Sequence, residues 1–561
     1  NEFSILNNLL KEDKFVWIKR HITPTEHQQI IDLGEINLRI EEEKKRIYPY
    51  SNLASHVVGY VDIDGIGGAG IERSFNDQLS KSENIYLTLD INLQQAVREE
   101  LSETVKKFKA ESGLAVILDI KKSQIISSVS FPDFNPNDRK TFNEKNLINR
   151  VIQSNYEMGS TFKPITVAMG YDKNLISPDM TFDVTKKIKG ISDYSKYEGD
   201  GIYNVEKIIF KSSNIGAAKI ASLIGKQNQK EFFKKIGFFD KLNIEILEAA
   251  EPLGNKHNWG KVETMTIGYG YGFAITPLHL VKAYASIAND GFEVRPTIVF
   301  GKQKDQKNQL LLKEDTSDYF LKLLRSVVTK TTFTGPRVKV EGYDIGGKTG
   351  TAMLTNEKGG YYKDRDLTSF ISLFPIEDPE YLVLTIIEYP KIIKGLNKKT
   401  TGAWINAPLV KEIILYMDNA GILPMIIHWY LKSDNYAYNL GLYHPKILQQ
   451  IFLLLLALYL QRNKVLHQMP YFTLTFNIYT LSTISYIVLS EIAIFSTRIG
   501  AHFYSVEPIL LIYLSQRFVQ KRFYLYMLTI VALLVSYLNY VYRALVPSYQ
   551  MFTNPCPENI C

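Results

Sequence analysis

The chain has 561 residues, too long for one ordinary core, and at about 150 residues per domain it calls for three or four folding units. Its 65 basic and 58 acidic residues leave a net charge of +7, an excess too thin over this length to argue for nucleic acid as a partner. The two cysteines, Cys556 and Cys561, sit in the last six residues, which excludes a cysteine nucleophile or a cysteine-based metal site elsewhere. The chain opens on Asn1, not Met, and is expected to be a fragment or processed form.

Residues 1–85 are mixed and polar, with a loop at Asp64–Gly70 that needs backbone freedom. Alternation over 86–91 predicts a strand, and the spacing of Leu93, Ala96, Val97, Leu101 and Val105 predicts a helix. Gly113–Asp119 and Ile125–Val129 follow as two strands joined at Lys121-Lys122. Helical periodicity fills about 160–290, and strand patterns return at 293–300, 343–354, 368–374 and 381–388. Strands early and late with helices between them imply an antiparallel sheet with a helical insertion, an α+β class rather than alternating α/β.

After Pro424 the chemistry changes. Uncharged runs at Ile447–Leu460, Tyr471–Ser490 and Phe523–Tyr542, with a weaker apolar run at 499–515, suggest about four hydrophobic helices over 425–561. A buried helical bundle is the other reading of the same runs. Arg462 and Lys464, then Arg517, Lys521 and Arg522, fall in two loops that four crossings would place on one side. The positive-inside rule makes that side cytoplasmic and the large preceding region extracytoplasmic, together with the Cys556/Cys561 tail.

Three short elements carry chemistry. Ser160-Thr-Phe-Lys163 follows Gly159 and precedes Pro164. On a helix, residues three apart share a face, so a lysine amine reaches the serine hydroxyl. It can take the proton only if burial or a neighbouring cation keeps it neutral. Alone the pair is also an ordinary exposed helix face. Ser212-Ser213-Asn214, taken alone, reads first as a helix N-cap cluster. Gly342–Thr349 matches the phosphate-loop pattern letter for letter, but such a loop must run into a helix. Here Asn356–Gly360 supplies a turn and Tyr361-Tyr362 an extended stretch, so Lys348 and Thr349 are expected on a strand that returns as a hairpin. The order Ser-x-x-Lys, Ser-x-Asn, Lys-Thr-Gly is the signature set of β-lactamases and penicillin-binding proteins. Lys348 then provides a second cation that would depress the pKa of Lys163.

The residues around these elements resemble the class B penicillin-binding proteins, of the division-specific FtsI type, over about residues 15–424. Tyr156–Pro164 resembles the first family motif, with Met158 where the family usually has proline. Thr266–Pro277 is similar to a glycine-rich family segment, and Ala403–Pro424 to the closing helix. Arg46–Pro49, His56–Asp62 and Ala69–Phe75 look like the end of a non-catalytic pedestal. The resemblance implies a partial pedestal domain at 1–85 and a transpeptidase domain at 86–424. It implies that Ser160 attacks the D-Ala-D-Ala carbonyl of a peptidoglycan stem peptide with Lys163 as base. Ser212 would relay a proton, and Asn214 would hold a substrate amide. Lys348 and Thr349, with Gly350 and Thr351 beside them, would hold the substrate carboxylate. Backbone N–H groups of Ser160 and Thr351 would form the oxyanion hole. The resemblance implies no metal or cofactor; the implied partners are stem peptides, lipid-linked precursor, penicillins, the membrane, a membrane glycan polymerase and divisome proteins. A β-lactamase or penicillin-sensing domain uses the same acylation chemistry, and a non-catalytic scaffold keeps the same fold. Ser496–Pro508 resembles membrane polysaccharide polymerases of the EpsG kind, with Arg498, His502 and Glu507 as its polar residues; a plain anchor or a join of two unrelated frames ranks ahead of a working polymerase.

Overall fold

The computed structural model describes residues 15–419, apart from 195, 197, 255–258, 302–308, 357–359 and 396–398. The hydrophobic runs expected beyond Pro424 and the two cysteines lie outside the described residues. Among the described residues no helix is long and apolar enough to cross a membrane.

A five-stranded antiparallel sheet organises the molecule. Its strands are β1 (Ser112–Asp119), β2 (Gln124–Phe131), β3 (Gly346–Thr355), β4 (Tyr361–Phe374) and β5 (Tyr381–Glu388), in the order β3-β4-β5-β1-β2. The early hairpin and the late strands meet where β1 pairs with β5, Ala115 opposite Thr385. Side chains alternate across a strand, so each central strand feeds two cores. Ala115, Ile117, Phe370, Phe374, Val383 and Ile387 face helices α1 (Ile91–Lys107) and α7 (Gly402–Asn419). Leu114, Val116, Leu118, Ile371, Leu373, Leu382 and Leu384 face the helical region. A strand buried on both faces has no polar side to show, which is why Tyr381–Ile387 reads as an apolar run. Helix α1 starts where the Asp90 side chain accepts from the N–H groups of Asn92 and Leu93.

The helical region contains α2 (Lys163–Asp172), α3 (Val205–Lys211), α4 (Asn214–Ile236), α5 (Pro277–Ala288) and α6 (Glu314–Thr329). The observed architecture is the α+β arrangement expected. Two predicted strands are not strands. Residues 86–91 and 293–300 meet the rest through isolated bridges, Leu87 with Val299 and Gln124 with Thr297. Their apolar alternation reflects burial of Val294, Ile298 and Val299. Their backbone donors find other partners: Val294 N–H goes to Ser286 Oγ, Ile298 N–H to Glu245 Oε2 and Thr297 N–H to the Ser123 carbonyl. Periodicity reports which side is buried, not which group satisfies the backbone.

Candidate active site

Ser160 is delivered by a tightly packed turn. Tyr156–Glu157 pairs with Phe273–Ile275, and a 3₁₀ turn over Gly159–Phe162 then runs directly into α2. Pro164 sits in the first turn of α2, where its missing N–H costs nothing. Gly159 has φ +53°, and its N–H donates to the Gly270 carbonyl at 3.0 Å. Gly270, with φ +89°, lies so close that a Cβ there would stand 2.1 Å from the Gly159 oxygen. Neither position tolerates a side chain.

The lysine three residues on from Ser160 is fully buried. Lys163 Nζ lies 3.0 Å from Ser160 Oγ, 3.1 Å from Ser212 Oγ and 2.5 Å from the Ser212 carbonyl. In all three the amine donates to oxygen; held neutral by burial, it can instead accept the Ser160 hydroxyl proton through its lone pair. Ser212 closes α3 in the left-handed region at φ 58°, which turns its oxygens toward the lysine. Its hydroxyl also receives Lys348 Nζ at 3.1 Å, and Lys348 donates to the Thr349 carbonyl at 2.9 Å. Ser160, Lys163, Ser212 and Lys348 thus form one hydrogen-bonded chain. Burial holds Lys163 well below the usual lysine range and the Lys348 cation pushes it further, while Asp193 opposes them. Of the two causes the sequence offered, burial is the larger and the Lys348 cation the smaller. Burial also pushes Lys348 itself down to about 7.

The middle serine is a helix N-cap, while its neighbour Ser212 lies between the two lysines. Ser213 caps α4 through the Gly216 N–H and donates to Asp193 Oδ2 at 2.7 Å, while Asp193 Oδ1 accepts from the Ile215 N–H. Asn214 opens the helix, with Nδ2 donating to the Ser192 carbonyl at 3.1 Å.

Lys348 lies on β3, at the edge of the sheet, with Gly346–Thr355 extended throughout; the phosphate-loop alternative is gone. Lys348 stands opposite Ile371 and shares its face, toward the helical region. Which backbone groups face the cleft follows from Met353, whose N–H donates outward to the Tyr271 hydroxyl at 3.3 Å. Backbone direction repeats every second residue, so the N–H groups of Thr351 and Thr349 point outward as well. The Thr351 carbonyl lies against Gly159, 3.1 Å from where a Cβ would be. Gly350 leaves room for Ser369 Oγ and the Thr161 methyl, which a Cβ would approach to 2.3 and 3.0 Å. Of the expected oxyanion donors, the Thr351 N–H therefore points away from β4, and the turn that carries Ser160 packs against the same strand.

The family model for the penicillin binding protein transpeptidase domain matches residues 113–415. The chain belongs to this family. It is 30% identical over 410 residues to the probable peptidoglycan D,D-transpeptidase FtsI of Caulobacter vibrioides, covering 70% of this chain and 69% of that one. The transpeptidase domain of Burkholderia pseudomallei penicillin-binding protein 3 is 27% identical, with a TM-score of 0.52 over 61% of this chain and 98% of that chain. Penicillin-binding protein 3 of Mycobacterium tuberculosis, solved with aztreonam, shares the fold with a TM-score of 0.61 at 24% identity, over 68% of this chain and 91% of that chain.

Three contributors to this penicillin-binding cleft escaped the sequence reading. Asp193 joins Ser213 from a loop about twenty residues upstream. Tyr284, fully buried on α5, donates its hydroxyl to the Thr161 carbonyl at 2.6 Å. Tyr271 covers an edge N–H of β3. Each acts across a distance in sequence that no local pattern encodes. Among the described residues no cluster of His, Cys, Asp or Glu is arranged to hold a metal ion.

Proposed function

We propose that this chain is a serine D,D-transpeptidase that cross-links peptidoglycan stem peptides in cell division and is acylated by β-lactams at Ser160. The observation that carries the reading is the fully buried Lys163 amine, 3.0 Å from Ser160 Oγ and bonded through Ser212 to Lys348. In this mechanism neutral Lys163 takes the Ser160 proton as Oγ attacks the D-Ala-D-Ala carbonyl. The oxyanion forms between the N–H groups of Ser160 and Thr351. Lys348 and Thr349 hold the terminal carboxylate and Asn214 a substrate amide. The C–N bond breaks as the leaving D-alanine nitrogen takes a proton from Lys163 through Ser212. An amine of a second stem peptide then attacks the ester, Lys163 takes its proton and passes it to Ser160 Oγ as the C–O bond breaks, and Ser160 and neutral Lys163 are restored with the new amide formed. A β-lactam ring opens on Ser160 by the same first step, and its carboxylate takes the same place.

The division of labour proposed along the chain is a partial pedestal at 1–85, the catalytic domain at 86–424 and a hydrophobic segment at 425–561 that holds the enzyme at the membrane. The catalytic domain then works outside the cytoplasmic membrane, beside a membrane glycan polymerase and other division proteins. Support for this placement is the run of uncharged segments and the loop charges at Arg462, Lys464, Arg517, Lys521 and Arg522. Labelling with a fluorescent penicillin, wild type beside Ser160→Ala, tests the chemistry. An unlabelled wild type, or a labelled Ser160→Ala variant, overturns it. Protease digestion of intact spheroplasts tests the placement, which fails if residues 1–424 are protected.

A further inference from the structure

The turn that carries Ser160 is held to the central sheet at two points along one cross-strand row. Ala352 on β3 stands opposite Leu367 on β4, and Leu367 stands opposite Glu388 at the end of β5. Residues directly opposite share a face, so all three lie on the side of the helical region, where Leu367 is part of the core. At the edge of this row a Cβ on Gly159 would stand 3.1 Å from Ala352 Cβ, so the turn rests against the strand there. Two strands further in, about 10 Å away at the spacing of paired strands, Glu388 Oε1 accepts the Tyr156 hydroxyl at 2.7 Å. One contact would let the turn pivot. A second, four residues before Ser160, stops it.

The second contact is built at a cost in stability. Tyr156 is buried, and burial first, then the Glu388 carboxylate, push its hydroxyl well above the usual tyrosine range, so it stays a donor. Arg150 is 7% exposed, with Nε 3.4 Å from Glu388 Oε1. Its buried Nη1 has no hydrogen-bond partner among the described residues. The Arg150 N–H donates to Ser130 Oγ on β2 at 2.9 Å, and the Asn149 side-chain amide donates to the His56 carbonyl at 3.0 Å. The backbone beneath the guanidinium is thereby fixed. A buried guanidinium with one carboxylate at this distance and an unsatisfied N–H does not offset its own desolvation. What it does supply is a positive charge that holds the Glu388 carboxylate in place as the acceptor for Tyr156.

We propose that Arg150 and Glu388 are positioning residues for the acylation step, and that through the Tyr156 hydroxyl they set the tilt of the nucleophile turn and the place of Ser160 Oγ against Lys163 Nζ. The inference rests on the serine-acylation reading and adds no group that touches substrate.

The test uses the full chain and benzylpenicillin, with the acylation rate constant at saturating drug separated from the dissociation constant of the intact drug. Tyr156→Phe keeps the ring in the core and removes the hydrogen bond; Glu388→Leu removes its acceptor. In each, the rate constant of the folded enzyme is expected to fall about 10–10²-fold while the dissociation constant is unchanged. The double variant should lose no more than the worse single variant, since both remove one bond. Arg150→Met should also slow acylation, and Arg150→Lys should restore most of the rate. A purely structural role would lower the melting temperature and leave the rate constant alone. A wild-type rate constant in Tyr156→Phe, losses that multiply in the double variant, or a loss confined to the dissociation constant overturns the positioning role while the transpeptidase reading stands. An unchanged rate in Arg150→Met removes Arg150 from that role. A wild type that takes no benzylpenicillin overturns the reading and the positioning role together.

Discussion

The two faces of the central sheet are equally buried and differently made. Toward α1 and α7 the core is apolar, Leu93, Val97 and Leu101 against Ile117, Val383 and Ile387, with Val410 and Ile414, and its buried polar side chains are neutral pairs such as Asn406 with Thr385 and Gln94 with Ser127. Toward the helical region the core is as apolar, yet it encloses Lys163 and Lys348 at its margin, both almost without solvent contact. A buried ammonium without a carboxylate partner is expensive, and here two amines share one serine hydroxyl. One face is built for stability, the other gives stability away to hold a neutral base beside a nucleophile.

The largest effect that separates the faces is expected from Lys163→Met. Acylation by a fluorescent penicillin should fall about 10²–10⁴-fold, the range of a general base, while the melting temperature stays or rises. A variant that loses stability and keeps its acylation rate would reverse the assignment of this face. Leu101→Ala is the opposite experiment. Leu101 is fully buried over Gly113, and its truncation should cost about 2–5 kcal/mol in urea unfolding while the folded fraction acylates at the wild-type rate.

The lysines also give the cleft face a pH signature. Lys163 acts neutral, so acylation should persist at neutral pH and fall as pH drops through its lowered pKa. In the proposed role of Lys348 as the cation that holds a carboxylate, β-lactam affinity should weaken as pH rises above about 7. Stability follows with the same sign for both. The folded pKa lies below the unfolded value near ~10.4, so the unfolded chain binds more protons in between and the burden on stability shrinks as pH rises through that window. For Lys348 the window opens at about 7. The stability advantage of Lys348→Met over wild type should therefore narrow between about pH 7 and ~10.4; a constant gap in urea titrations would mean the lysine is buried charged.

How much of this the sequence disclosed follows range of interaction. The sheet strands were legible because burial on both faces or in alternation leaves a local mark, as in Gly113–Asp119 and 381–388. The 293–300 segment carries the same mark without the ladder, because Glu245 and Ser286 satisfy its backbone. In the cleft, Ser160 and Lys163 were readable as a spacing, and Lys348 by the lack of room for a helix after it. Gly270, Asp193 and Tyr271 meet their partners only through the fold. The sequence offered burial and a neighbouring cation as causes for a neutral Lys163 without ranking them; burial leads, and it belongs to the whole helical region and not to any motif.

The smallest expected effect tests the seam between structure and chemistry. Tyr284 is part of the apolar core, its ring 5.1 Å from that of Phe320, but its hydroxyl holds the Thr161 carbonyl in the turn that carries Ser160. Tyr284→Phe keeps the ring and removes one buried hydrogen bond, which should cost about 1 kcal/mol. If the bond also positions the turn, acylation by benzylpenicillin should slow by up to about tenfold, with the loss in the acylation rate and not in the affinity for the intact drug. If stability falls while acylation is untouched, the packing of Gly159 against Gly270 and the Thr351 carbonyl fixes Ser160 by itself. The divide between a stabilising core and a catalytic cleft would then run between Tyr284 and Thr161, one hydrogen bond from the nucleophile.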